Sequence, residues 1–253
     1  MPRKKPAAKT KSRKNSDRDP MHPARIVAEL LEVAASNAMP RPRRSQPKKS
    51  QAGVSTIFQF HIALVGSQPV IWRRIQVHDC TLDKLHEHIQ TSMGWTNSHL
   101  HQFKIRGKRY GDPELLEDDE IDDFGDGPCI DSTRTLISQI LTPGATRQPI
   151  NYEYDFGDGW DHEILFEGCT EPEPRKKYPL CLEGERACPP EDVGGLGGYE
   201  EFLAAIADPR HAQHAETLQW SGPFAPEQFS PAQATKAMRK GLPDWREDDD
   251  FLI

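Results

Sequence analysis

Apolar residues recur at every second position from Val54 to Val65, where Phe58, Phe60, Ile62 and Leu64 alternate with Ile57, Gln59 and His61. That is the period of a half-buried strand. Gly66 to Pro69 reads as a turn. Val70 to Val77 follows as a second strand, with Ile71, Arg73, Ile75 and Val77 on one face and Trp72 and Arg74 on the other, and the pair makes an antiparallel hairpin. The period then lengthens. Leu82, Leu85, His86, Ile89 and Met93 form one stripe of a helix, with Thr81 placed to cap its start and Gly94 to end it. His99 to Arg106 predicts a third strand that puts His99, His101, Phe103 and Ile105 on one face. Strand, strand, helix, strand is the opening of a β-grasp-like α+β unit.

Further along, Asp112 to Asp126 is nearly continuous acid and reads as a surface loop, and Thr135 to Leu141 is too short to type. Ile150 to Phe156 and Trp160 to Glu167 flank Gly157-Asp158-Gly159, a strong hairpin signal because both glycines accept positive φ. Their predicted inward residues are Ile150, Tyr152, Tyr154 and Phe156, then Trp160, His162, Ile164 and Phe166. A Pro-rich connection from Cys169 to Pro190 leads to a helix from about Tyr199 to Ala207, stopped by Asp208-Pro209, and a last helix spans about Pro231 to Lys240. The expected fold is α+β: a mixed or antiparallel sheet packed by helices, in one domain over residues 51–245.

Charge separates this body from what precedes it. Residues 1–50 hold 14 Lys or Arg against 4 Asp or Glu, and the rest hold 18 against 35, so the net −7 hides a basic arm on an acidic body. The run from Pro2 to Arg18 has no apolar periodicity and predicts a disordered tail. Ile26, Val27, Leu30, Leu31 and Ala34 predict one short helix inside the arm. Arg3, Lys4, Lys5, Lys9, Lys11, Arg13 and Lys14 are the candidate phosphate contacts to nucleic acid, since clustered cations release counterions from a polyanion. The competing reading is a solvated tail, or one that folds back on the acidic body. No stretch approaches the roughly 18 uncharged apolar residues of a membrane span. The amino terminus lacks an apolar segment after its basic residues, so a cytoplasmic protein without membrane contact is expected. Five cysteines, at 80, 129, 169, 181 and 188, are expected as thiols; Cys181 with Cys188 is the one pair worth testing as a disulfide.

Two groups of residues are candidates for chemistry. Cys181, Cys188, His211 and His214 offer four ligands suited to tetrahedral zinc, although six residues between the cysteines exceed the usual two to four. His99, His101, Asp155, Asp158 and His162 gather imidazoles and carboxylates if their strands pair, and could bind a divalent metal or move protons. Trp72, Trp95 and Trp160 could line a pocket beside them. Other motifs fail. DFGDG, at Asp123 to Gly127 and Asp155 to Gly159, lacks the other kinase signatures. HEHIQ and HEILF do not complete H-E-x-x-H, and an EF-hand alignment of the acidic loop puts Phe124 or another non-ligand in a required slot. GGLGG at Gly194 to Gly198 has Glu191 and Asp192 beside it, the wrong sign for a phosphate cradle, and reads as a tight turn.

The blocks VIWRRIQV, TLDKLHEHIQTSMGW, HLHQFKI, YEYDFGDGWDHEI and CLEGERACPPEDVGGLGGYEEFL with DPRHAQH, in that order, resemble the plasmid pRiA4b ORF-3-like family over roughly residues 54 to 240. The resemblance implies an α+β domain of bacteria, archaea and their plasmids and mobile elements, without an established activity. At Val193, where many members carry a cysteine, this chain departs from the pattern. Three functions follow as expectations. The leading one is a binding or accessory protein of a mobile element, whose body contacts a partner protein or small ligand while its arm holds nucleic acid. The others are a metal-dependent hydrolytic enzyme using the His/Asp cluster and a zinc-stabilised interaction module.

Overall fold

The computed structural model describes residues 56–116, 128–141 and 149–242. The expected arm with its helix and cation cluster, most of the acidic loop and the acidic end lie outside them. The chain divides into Met1–Lys49 and Ser50–Ile253, and all the described residues belong to the second unit.

Eight strands form one sheet: β1 Ile57–Leu64, β2 Trp72–His78, β3 His101–Ile105, β4 Lys108–Gly111, β5 Ile130–Asp131, β6 Pro149–Tyr154, β7 Trp160–Thr170 and β8 Leu180–Glu185. Their order is β5-β4-β3-β6-β7-β1-β2-β8. Every pairing is antiparallel except β4 with β5. The β-β-α-β opening is present in the chain, but the β6–β7 hairpin lies between β3 and β1 in the sheet.

The expected alternation decides which face is buried. Phe60, Ile62, Ile75, Val77, Phe103, Ile150, Tyr152, Tyr154, Trp160, His162, Ile164 and Phe166 are all buried. On the other face Arg74 clamps Glu167 through Nε (2.9 Å) and Nη2 (3.1 Å), while Gln59 donates to Glu167 and Gln76 donates to Gln59. Phe156, expected inward, sits in the turn and is exposed, because the strand period stops at Tyr154. Trp95 and Trp160 are core residues, and Trp72 stacks on His61 at 5.0 Å; none of the three is among the described residues that line the groove at His86, His99 and His101.

Helix α1, Leu82–Met93, buries Leu82, Leu85, Ile89 and Met93. Thr81 Oγ1 accepts from the Lys84 N–H at 3.2 Å, and Gly94 ends the helix at φ 114° with its N–H on Gln90 O. Such a cap contributes about 1 kcal/mol. Two single turns follow, α2 (Pro113–Leu116) and α3 (Ile137–Ile140), then α4 Gly195–Ala207, α5 His214–Ser221 and α6 Pro231–Lys240. Helix α6 begins where expected, with Ser230 as cap and Pro231 in its first turn, and packs on α1 and β8.

Three expectations are corrected. The connection from Cys169 to Pro190 contains β8, an edge strand whose half-exposed residues blur the alternation. Thr235 Oγ1 accepts from Cys181 N and donates to Cys181 O, so α6 covers part of that edge. The GGLGG segment is the first turn of α4 rather than a turn before it. Strand β3 begins at His101, so His99 precedes it and does not share its face.

Candidate functional site

Three chain segments converge at the carboxyl end of α1. The first leaves the helix at Gly94, buries Trp95 and turns through Asn97 at φ 61° before reaching His99. The second is the β6–β7 turn. There Asp155, at φ 55°, accepts with Oδ1 from the N–H groups of Gly157 (3.0 Å) and Asp158 (3.2 Å), which leaves Oδ2 facing His99. The third is the loop before α4. Trp95 Nε1 donates to Pro189 O at 3.0 Å, and the Glu191 carboxylate accepts from Thr96 N (2.8 Å) and from Tyr154 OH (3.0 Å). Those bonds hold the next residue, Asp192 at φ 58°, over His99.

The result is a cluster of His99, Asp155 and Asp192, whose ligand atoms lie within 4.8 Å of one another. It is the one group of three or more metal-type donors found among the described residues. His99 Nε2 is 2.9 Å from Asp192 Oδ1 and 3.5 Å from Asp155 Oδ2, yet neither contact has hydrogen-bond alignment. Ligand atoms about 2.1 Å from a common ion stand roughly 3–3.6 Å apart, so these separations fit a shared cation. Asp155 is buried, His99 half-buried and Asp192 exposed, so the cluster opens to solvent on the Asp192 side.

Glycines make the approach of the third loop possible. A Cβ on Gly195, where φ is 67°, would stand 2.5 Å from Asp158 O, and one on Gly198 would stand 2.0 Å from Val193 O. Asp158 Oδ2 accepts from Gly194 N at 3.0 Å, so that carboxylate ties the turn to the loop instead of joining the cluster.

His101 stacks on His86 with ring centroids 3.5 Å apart and planes 5° from parallel. His86 Nε2 is 2.7 Å from Asn97 Oδ1 and Nδ1 is 2.8 Å from Tyr152 OH. Asn97 Oδ1 accepts, so Nε2 carries the proton and Nδ1 accepts from Tyr152, whose oxygen accepts in turn from Gln90 Nε2. Burial lowers the His86 pKa to about 4 and pushes His101 well below its ordinary value. Both are neutral imidazoles at neutral pH. A groove of about 980 Å³ runs beside them, and His86, Asn97, His99 and His101 form part of its wall.

The remaining candidates lie elsewhere. His162 is in the core, its Nδ1 donating to Trp160 O at 3.0 Å and its ring edge-on to Trp95. Cys181, Cys188, His211 and His214 do not come together as a ligand group among the described residues. Cys181 Sγ donates to Glu183 O, and His214 Nδ1 donates to Ala205 O. No disulfide joins the five cysteines, and burial raises Cys80 to about 12 and Cys181 to about 11. Sequence reasoning missed Asp192, Glu191, Asn97 and the pairing of His86 with His101. The acidic pair beside the glycines is the available signal, and its sign excludes phosphate while suiting a cation.

Comparison with known proteins gives a consistent answer. The model of the family described as plasmid pRiA4b ORF-3-like protein matches residues 56–233. Uncharacterized protein y4hQ of Sinorhizobium fredii is 43% identical over 171 residues, which are 67% of this chain and 82% of that one. The crystal structure of MM3350, a protein of unknown function from Methanosarcina mazei Go1, superposes with a TM-score of 0.61 at 32% identity, covering 71% of this chain and 98% of that one. With more than half of its length matched by the family model, this chain belongs to the plasmid pRiA4b ORF-3-like family.

Proposed function

We propose that the protein is a divalent-metal-dependent protein with a hydrolytic site at His99, Asp155 and Asp192. The observation that carries this reading is the convergence of one imidazole nitrogen and two carboxylate oxygens from three distant segments. A mixed nitrogen and oxygen set suits zinc or manganese. Three protein ligands leave coordination positions for water, whose pKa such an ion lowers towards neutrality. Asn97, Asp155 and Asp192 all adopt positive φ, a conformation that Asn and Asp accept more readily than other side chains, and it sets the turns that bring the three segments together.

The test is calorimetric titration of the full chain with Zn²⁺ and with Mn²⁺. One ion should bind per chain. His99→Ala, Asp155→Asn and Asp192→Asn should each weaken binding more than the roughly tenfold loss typical of outer-shell partners, whereas His162→Ala should leave it unchanged. Unaltered binding in the three ligand variants sinks the site.

The charge split supports a second activity, contact with nucleic acid through Arg3, Lys4, Lys5, Lys9, Lys11, Arg13 and Lys14, in an accessory role on a plasmid or mobile element. This contact would be indifferent to sequence, because clustered cations read phosphate and not bases. Affinity for duplex DNA should fall with salt by a log–log slope of about −0.9 per phosphate contacted, and deletion of residues 1–50 should abolish it. Equal DNA binding by the truncated body would rule this reading out.

A further inference from the structure

Arg74, Lys84, Lys104, Arg134, Lys176, Arg186 and Arg210 each pair with a carboxylate. Arg175 and Lys177, in the connection of residues 171–179 between β7 and β8, form no ion pair among the described residues, and neither do Lys236 and Lys240 on α6. All four are exposed. Two sets of hydrogen bonds bring the connection and the helix together. Arg239, also exposed, donates from Nε to Pro179 O at 3.1 Å and from Nη2 to Lys177 O, and Thr235 bonds both backbone groups of Cys181. Lys236, Arg239 and Lys240 stand at i, i+3 and i+4 on one face of α6. The negative end of the helix accounts for cations in its last turn, Arg239 and Lys240. It does not account for Lys236 or for the two in the connection. Glu173 is held by Lys176, so Glu171 is the one carboxylate on these two segments without a cation partner among the described residues. Five cations thus crowd one part of an otherwise acidic body.

We propose that residues 171–179 and the exposed face of α6 form a second nucleic-acid contact, with Arg175, Lys177, Lys236 and Lys240 against the sugar-phosphate backbone. The sign of the surface is complementary to a polyanion. None of the large apolar side chains exposed among the described residues lies on either segment, so the surface has no anchor for a lipid bilayer or for the apolar side chains of a peptide. Charge alone suits a phosphodiester, which is held without reading its bases. The place where the chain enters the sheet adds a further argument. Thr56 O accepts from Asp79 N at 3.2 Å, and the ring of the neighbouring His78 stands edge-on to Tyr178 with centroids 5.3 Å apart. The polypeptide that carries the cations of residues 1–50 therefore joins the body beside this surface. The inference rests on the nucleic-acid reading of those residues for its choice of partner. With 18 cations against 35 acids the body holds such a polymer weakly by itself, and the arm supplies most of the affinity.

The experiment is lysine acetylation footprinting of the full chain, free and with a saturating DNA duplex of about 20 base pairs at about 0.1 M salt. Lys104, paired with Glu153 on the opposite face of the sheet, is the reference. Lys177, Lys236 and Lys240 should react several-fold more slowly with DNA present, as should Lys4, Lys5, Lys9, Lys11 and Lys14, while Lys104 is unchanged. A combined Arg175→Gln, Lys177→Gln, Lys236→Gln and Lys240→Gln variant alters only exposed side chains. At about 0.9 per phosphate contact, it should lower the log–log salt slope of the full chain by about two units or more. A smaller change in slope overturns the inference. Protection of the arm lysines without Lys177, Lys236 and Lys240 also overturns it and leaves the arm reading standing. Protection of these three without the arm faults the arm reading instead, and protection of neither overturns both. Lysines already slow in the free chain that become reactive on deletion of residues 243–253 overturn it too, since the acidic end, with Glu247 to Asp250, would then be the occupant.

Discussion

Acidification from pH 7 to pH 4 should unfold the body of the protein. Burial lowers the pKa of His86, His88 and His162 to about 4, against 6.5 for the exposed side chain. The unfolded chain therefore takes up protons near pH 6.5 that the folded chain refuses until about pH 4. Stability is fully present above the unfolded value and is lost as pH falls through that window. At 1.36 kcal/mol per unit, each histidine removes roughly 3 kcal/mol. Three of them together are comparable with the whole stability of a domain, about 5–15 kcal/mol. Partial burial raises Asp161 and Glu163, which act in the opposite sense, but both remain about half open to solvent and are screened. Urea midpoints measured between pH 7.5 and pH 4 should fall steeply below pH 6.5. A midpoint that stays flat to pH 4.5 would contradict the burial assigned to these imidazoles.

Arg73→Ala should cost about 2–5 kcal/mol, from the cavity it leaves and the carbonyls it unpairs, among the largest losses for a single side chain. Arg73 is fully buried, and no carboxylate of the described residues forms an ion pair with it. Its Nε donates to Ser92 O at 2.9 Å and its Nη1 to Trp72 O and Glu185 O, both at 2.8 Å, while the guanidinium lies 3.7 Å over the Phe229 ring. Ser92 is in the last turn of α1, so part of the charge is balanced by the negative end of that helix. Alanine would leave three carbonyls short of a donor and a cavity beneath Phe229. Arg73→Lys keeps the charge but loses the planar fork, and should recover only part of the loss. The check is the shift in denaturant midpoint at constant slope, and a cost below about 1 kcal/mol for the alanine variant would remove Arg73 as the strut between β2, β8 and α1.

Much of the fold is legible in the sequence because its periods are strong. The even-numbered residues from Phe58 to Leu64, the stripe on α1 and the Gly157-Asp158-Gly159 turn each rest on local rules. Even the buried Arg73 is visible on the face with Ile71, Ile75 and Val77. Strand β8 is hidden because its residues are mostly half-exposed and so blur the alternation, with Pro179 just before it and Gly184 within it. The start of α4 is hidden because three of its first four residues, Gly195, Gly197 and Gly198, are poor helix formers, held here by close backbone packing that sequence does not display.

The site is half legible for the same reason. His99 and Asp155 stand out as residue types next to predicted strands, but the rule that groups them with His101, Asp158 and His162 is strand alternation. Alternation does not apply to His99, which lies before β3. Asp192 joins through a loop whose anchor, Trp95 to Pro189, spans 94 residues. No local spacing encodes a contact of that range. Glu191 and Asp192 carry the wrong sign for phosphate, and that sign is what a cation needs.

The metal reading stands or falls on whether His99, Asp155 and Asp192 share one ion, which anomalous diffraction from crystals grown with Mn²⁺ would locate. One anomalous peak per chain is expected within about 2.0–2.2 Å of His99 Nε2, Asp155 Oδ2 and Asp192 Oδ1, lost in crystals of the Asp155→Asn variant. A fully occupied peak elsewhere with none among these three atoms, or His99 still in direct contact with the two carboxylates and no ion between them at saturating metal, would refute the shared site.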